Sequence, residues 1–171
     1  MVHTGHKKII FILICLVAIS FTGNSYSKPG VKQAPKFAIF DLQDKLVTMT
    51  TLTKSNNLII SFWASYCVPC KREIPQLVEL EKKYSEQKKV KLVLINIDKE
   101  GKDKAKPVLD SLDVTNLCLV DMYQLNAKKY IPNLKIPAVF VINKKNEIVF
   151  EAIGEGEKNL KNLEKAIQQL K

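Results

Sequence analysis

The stretch FWASYCVPCKREIP, residues 62–75, decides how this chain folds. It sets Cys67 and Cys70 two residues apart, between an apolar run and a charged segment. Upstream, Leu58 to Ala64 reads LIISFWA, a continuous apolar run that suits a strand buried on both faces. Downstream, Ile74, Leu77 and Val78 recur at helical spacing among charges, which predicts a helix from Pro69 to about Gln87. Pro75 withholds one backbone donor early in that helix and predicts a kink there. The cysteines therefore straddle a strand-to-helix junction. A helix N-terminus offers unpaired N–H groups and positive dipole character, which stabilise a thiolate and lower its pKa. Cys67, at the tip, is expected to attack. Cys70, one turn inside, is expected to resolve the mixed disulfide.

Two other uses of the pair have to be weighed, and the start of the chain bears on one of them. Residues 1–27 open with the basic MVHTGHKK, continue through an apolar run from Ile9 to Phe21, and close on the small and polar TGNSYS. This pattern predicts a signal peptide, with an N-terminal membrane anchor as the alternative. The apolar run is shorter than the roughly 20 residues that span a bilayer. Both histidines, His3 and His6, lie in this leader, so the remainder has none. That excludes a Cys–His nucleophile and a histidine general base. A zinc site needs four ligands, and one C-x-x-C plus Cys118 falls short, so no metal is expected. A purely structural disulfide across two residues would restrict the unfolded chain little, because stabilisation grows with loop length. Cys118 sits in an apolar stretch and is expected to be buried and inert.

The charge of the whole chain is +10, and Lys7 and Lys8 are the only formal charges of the leader, so +8 remains without it. The lysines are scattered as short pairs such as Lys82-Lys83 and Lys144-Lys145. This describes a solvated surface rather than the clustered basic and aromatic residues of a nucleic-acid binder, so no nucleic acid is expected.

Residues 28–36, with Pro29, Gly30 and Pro35, read as a linker to a domain spanning 37–171. FAIFDLQDKLVTMTTL predicts a β-hairpin around Gln43-Asp44-Lys45. Further strands are expected at Val90–Ile97, Asn116–Val120, in IPAVFVIN and in EIVFEAI, the last two joined as an antiparallel hairpin. Short helices are expected near Lys106–Leu112 and in QLNAKKY. Leu160, Leu163, Ile167 and Leu170 mark a terminal amphipathic helix. The alternation predicts an α/β fold whose sheet is partly parallel.

The segment FWASYCVPCKREIP, the in-helix Pro75 and the Ile136-Pro137 pair before a strand together resemble the thioredoxin superfamily, and within it the TlpA/ResA-like exported thiol–disulfide oxidoreductases. The resemblance covers about residues 35–171. It implies a thioredoxin-like fold: a central mixed β-sheet flanked by helices, with an N-terminal β-hairpin and a βα insertion around 98–120. It implies a redox-active Cys67–Cys70 disulfide, with no cofactor beyond it. Pro137 is expected to be cis and to face the pair, with Ile136 offering its backbone to an extended substrate. Trp63, Tyr66 and Pro69 complete the expected substrate-binding surface. The buried Asp that thioredoxins often carry two residues before the tryptophan is Ser61 here. The resemblance implies instead a carboxylate in the loop after the next strand, and Glu100 is the candidate base.

Val68-Pro69 lacks the histidine of oxidant families, which favours a reducing couple. The expected potential lies nearer the thioredoxin end, about −270 mV, than the strong-oxidant end, about −120 mV. The resemblance implies an extracytoplasmic reductant of protein disulfides, with the yield of apocytochrome c thiols among its expected products. A membrane thiol reductase would act as electron donor, and a membrane tether would run through residues 9–21. An oxidant or isomerase, or a metal-binding or chaperone-like module on the same fold, are the alternatives.

Overall fold

The computed structural model describes residues 32–156 and 158–171, so the leader lies outside the described residues. Ala38–Phe40 (β1) and Leu46–Thr48 (β2) form the expected antiparallel hairpin. Its turn is held by the Asp41 carboxylate, which accepts from the backbone N–H groups of Gln43 and Lys45.

The second half of the predicted hairpin differs. Met49–Thr53 is a short helix (α1), started by the Thr48 hydroxyl accepting from the Thr51 N–H. The threonines suggested a strand, but a side-chain cap satisfies an otherwise orphaned helix donor and tips the segment to helix. Residues 32–36 also depart from the linker expectation. Gln33 bridges to Glu147, the Ala34 N–H bonds the Asn146 carbonyl, and Ala34 is buried.

The central sheet has five strands in the order β5-β4-β3-β6-β7. Asn57–Trp63 (β3), Val90–Asn96 (β4) and Leu117–Val120 (β5) run parallel, while Ala138–Ile142 (β6) is antiparallel to β3 and Ile148–Ile153 (β7) is antiparallel to β6. Every residue of β3 is buried, as the apolar run requires.

Val68–Lys88 (α2) follows the cysteine loop and contains Pro75. Lys102–Ser111 (α3) starts earlier than expected, after Gly101 with its positive φ of 61°, and runs through Pro107. Ala127–Tyr130 (α4) is the short helix of QLNAKKY, and Asn159–Gln168 (α5) ends the chain. α2 and α5 are joined by Lys83 and Tyr84, both of which donate to Glu164. Phe62, Phe140 and Tyr130 meet with ring centroids 5.2–5.9 Å apart, packing α4 onto the sheet. This is the thioredoxin-like architecture, with a mixed sheet, flanking helices and an N-terminal hairpin.

Candidate active site

β3 ends at Trp63 and α2 begins at Val68, so the loop between them delivers Cys67 to the helix tip. Cys67 is the N-cap: its sulfur accepts from the Cys70 N–H at 3.2 Å, and the two sulfurs are joined as a disulfide. Cys67 retains 7% of its accessible surface and Cys70 only 1%, which gives the two sulfurs unequal access. Tyr66 and Val68 flank Cys67 and are exposed, at 68% and 55%. They form an apolar rim that a partner can cover.

The loop is fixed from below. Asp98, buried just after β4, accepts from the Ser65 N–H at 2.8 Å, the Ser65 hydroxyl at 2.9 Å and the Asn96 amide at 2.7 Å. Sequence reasoning passed over this residue. Its signal was a carboxylate directly after a buried strand.

The Ile136–Pro137 peptide bond is cis. Register places Ala138 opposite Phe62, so Pro137 lies at the end of the sheet where β3 gives way to the cysteine loop. Pro137 and Pro69 line one cavity of about 530 Å³ together with Arg72, Glu73, Gln76 and Glu155. Ile136 is half-buried, and among the described residues its backbone N–H and carbonyl take no main-chain partner.

Glu73 supplies the carboxylate of this cavity. It stands three residues beyond Cys70 on α2, a spacing that puts the two side chains on neighbouring positions of one helix face. Its Oε2 is buried and has no hydrogen-bond partner among the described residues. Burial, then the nearby Glu155 charge, push its pKa up from 4.5 to about 7. Glu155 itself is paired with Arg72 at 2.5 Å. Glu100, the carboxylate expected for this role, is exposed and lines a different groove beside Phe40, Lys102 and Tyr123. The loop after β4 turns away toward α3, so Glu100 does not line the cavity of Pro69, Glu73 and Pro137.

Trp63 also departs from expectation. It is fully buried, so it offers no surface to a substrate. Its indole N–H finds no conventional acceptor among the described residues and lies against the Cys118 sulfur. Cys118 is free and buried, and burial pushes its thiol up to about 12, so it stays protonated and inert. The Ser61 hydroxyl is likewise buried and unpartnered among the described residues.

The pattern of the Redoxin family matches residues 28–167. The chain belongs to the Redoxin family. This redoxin is 30% identical over 156 residues to the thiol-disulfide oxidoreductase ResA of Bacillus cereus (strain ATCC 10987 / NRS 248), covering 86% of this chain and 87% of that one. It is 24% identical over 151 residues to the thioredoxin-like protein YneN of Bacillus subtilis (strain 168), covering 83% and 87%. A solved structure from Chlorobium tepidum, provisionally named thiol:disulfide interchange protein DsbE, superposes with a TM-score of 0.72 at 20% identity, covering 83% of this chain and 97% of that one. The redoxin is thus a TlpA/ResA-like member of the thioredoxin superfamily and a thiol–disulfide oxidoreductase.

Proposed function

We propose that this redoxin is an extracytoplasmic reductant of protein disulfides in which Cys67 attacks, Cys70 resolves and Glu73 carries the proton. The observation that supports it best is the cavity beside the cysteine pair. It joins Pro69, the cis Pro137 and a carboxyl whose pKa is near neutrality.

In the reduced enzyme the Cys67 thiolate attacks one sulfur of a substrate disulfide and expels the other as a thiolate. The product is a mixed disulfide on Cys67. Glu73, ionised, takes the Cys70 proton, and the Cys70 thiolate attacks the Cys67 sulfur. The Cys67–Cys70 disulfide forms, the substrate sulfur leaves as a second thiolate, and two electrons have passed to the substrate. An acid with a pKa near the working pH suits this transfer, since it can both accept and return the proton. The exposed Tyr66 and Val68 would seat the partner, and Ile136 would pair with its extended backbone. No cofactor beyond the cysteine pair enters the cycle. A membrane thiol reductase would restore the dithiol, and apocytochrome c disulfides, reduced to thiols, are the proposed substrates.

Replacing Cys70→Ser should trap partners covalently on Cys67, seen as new bands on non-reducing gels that vanish with reductant. No trapped species would count against disulfide exchange through Cys67. Equilibration with glutathione gives the direction of electron flow. A potential nearer about −270 mV supports a reductant, and one nearer about −120 mV would reassign the protein as an oxidant.

A further inference from the structure

The end of the domain opposite the cysteine pair is built around one residue. Asn57, buried at the start of β3, donates from its side-chain amide to the Lys88 carbonyl at 2.7 Å. Its side-chain oxygen accepts from the Lys144 N–H at 3.1 Å, and its own N–H bonds the Lys89 carbonyl at 2.8 Å. Lys88 reaches on to the Leu170 carbonyl at 2.7 Å. These bonds gather the end of α2, the β6–β7 turn and the C-terminus onto one face.

That face is rich in lysine. Lys54, Lys89, Lys144, Lys145 and Lys171 are exposed there, and Lys144, Lys145 and Lys171 border a single shallow pocket with Asn57 and Glu147. Among the described residues Lys54, Lys144, Lys145 and Lys171 make no salt bridge, and Lys89 has only Glu86 at 3.6 Å. Carboxylates at this end include Glu86, Glu147, which is bonded by Asn143, the exposed Asp113 before β5, and the chain terminus. At the cysteine end carboxylates accompany the cations: Arg72 pairs with Glu155 and Lys102 with Asp44, although Lys71, Lys99 and Lys135 make no salt bridge among the described residues.

The described chain also begins at the lysine face. The Lys32 carbonyl accepts from Ile148, and Ala34 is bonded to Asn146 of the β6–β7 turn. Residues 1–31, with the apolar run Ile9–Phe21, join the domain at Lys32, two residues from that turn along the β7 edge, where the Lys32 ammonium reaches Glu151.

We propose that this lysine-rich face docks on an anionic bilayer surface, which holds the cysteine pair on the side of the domain turned away from the lipid. Lysines near an anionic leaflet each favour the bound state by roughly fivefold, and the effect fades within a Debye length. The setting rests on the extracytoplasmic reading above, but the contact does not depend on redox chemistry.

The full chain is reconstituted in phosphatidylcholine vesicles with and without phosphatidylglycerol. Its lysines are then acylated with a water-soluble reagent and followed by mass spectrometry. Lys54, Lys89, Lys144, Lys145 and Lys171 should react several-fold more slowly on the anionic vesicles, while Lys99 and Lys135 should not change. High salt should erase the difference. The double variant K144E/K145E should lose most of the several-fold protection at Lys54 and Lys89, and should reduce insulin at the parent rate. Equal labelling on both vesicle types overturns the proposal. So does protection by a soluble acidic protein with none on anionic vesicles, which would assign the face to a protein partner. Protection without insulin reduction upholds the docking and rejects the reductase reading.

Discussion

Glu73 shows how a single residue acquires its chemistry from distant chain. On the sequence it is one more charge in CKREIP. The fold encloses it and brings Glu155 near, and together these raise its pKa to about 7. Between about pH 4.5 and 7 the folded chain holds a proton that the unfolded chain has released, so stability declines across that window and the full cost of the buried carboxylate is present above it. Glu73→Gln should flatten this decline in urea melts and leave the variant more stable than the parent at about pH 8. The same variant should lose the step near neutrality in its rate of insulin reduction. An unchanged pH profile would remove Glu73 from proton transfer. Cys67 and Cys70 were legible because their spacing and neighbours are local, and Pro137 through the family resemblance. Glu73 was not, because its burial and its neighbour Glu155 are fixed only by tertiary packing. Trp63 misled for the same reason: an aromatic near a cysteine motif carries no mark of which way it faces.

At the scale of elements, strands were easy to read and their junctions were not. The apolar runs of β3, β4 and β6 announce themselves, since a strand buried on both faces needs no alternation. α1 was missed because one hydroxyl cap outweighed the β preference of its threonines. The link between β4 and the cysteine loop was missed because Asp98 and Ser65 lie far apart in sequence. Asp98→Asn keeps the shape but replaces an oxygen with a donor facing donors. It should cost about 1–3 kcal/mol in urea unfolding and shift the Cys67–Cys70 potential measured against glutathione. A stability loss with an unmoved potential would make Asp98 a scaffold only.

Across the whole molecule, the two ends of β3 do different work. Seven residues of strand place Asn57 about 20 Å from Trp63 at roughly 3.3 Å per residue. Chemistry sits at one end and the gathering of chain segments at the other. Asn57→Ala would strand the Lys88 carbonyl and the Lys144 N–H, and should cost about 2 kcal/mol or more in chemical denaturation. Insulin reduction at permissive temperature should be unaffected, and a matching loss of activity would show that the ends are coupled.

Trp63 is the only tryptophan in the chain, and it is sealed at the carboxyl end of the central strand against a sulfur. The molecule therefore carries a single indole fluorophore, four residues from its reacting thiol. Its emission should be blue and partly quenched while β3, β4 and β5 stay closed over it. Engagement of Cys67 by a partner should then be read optically without any label, as a change in the quenching of this buried indole.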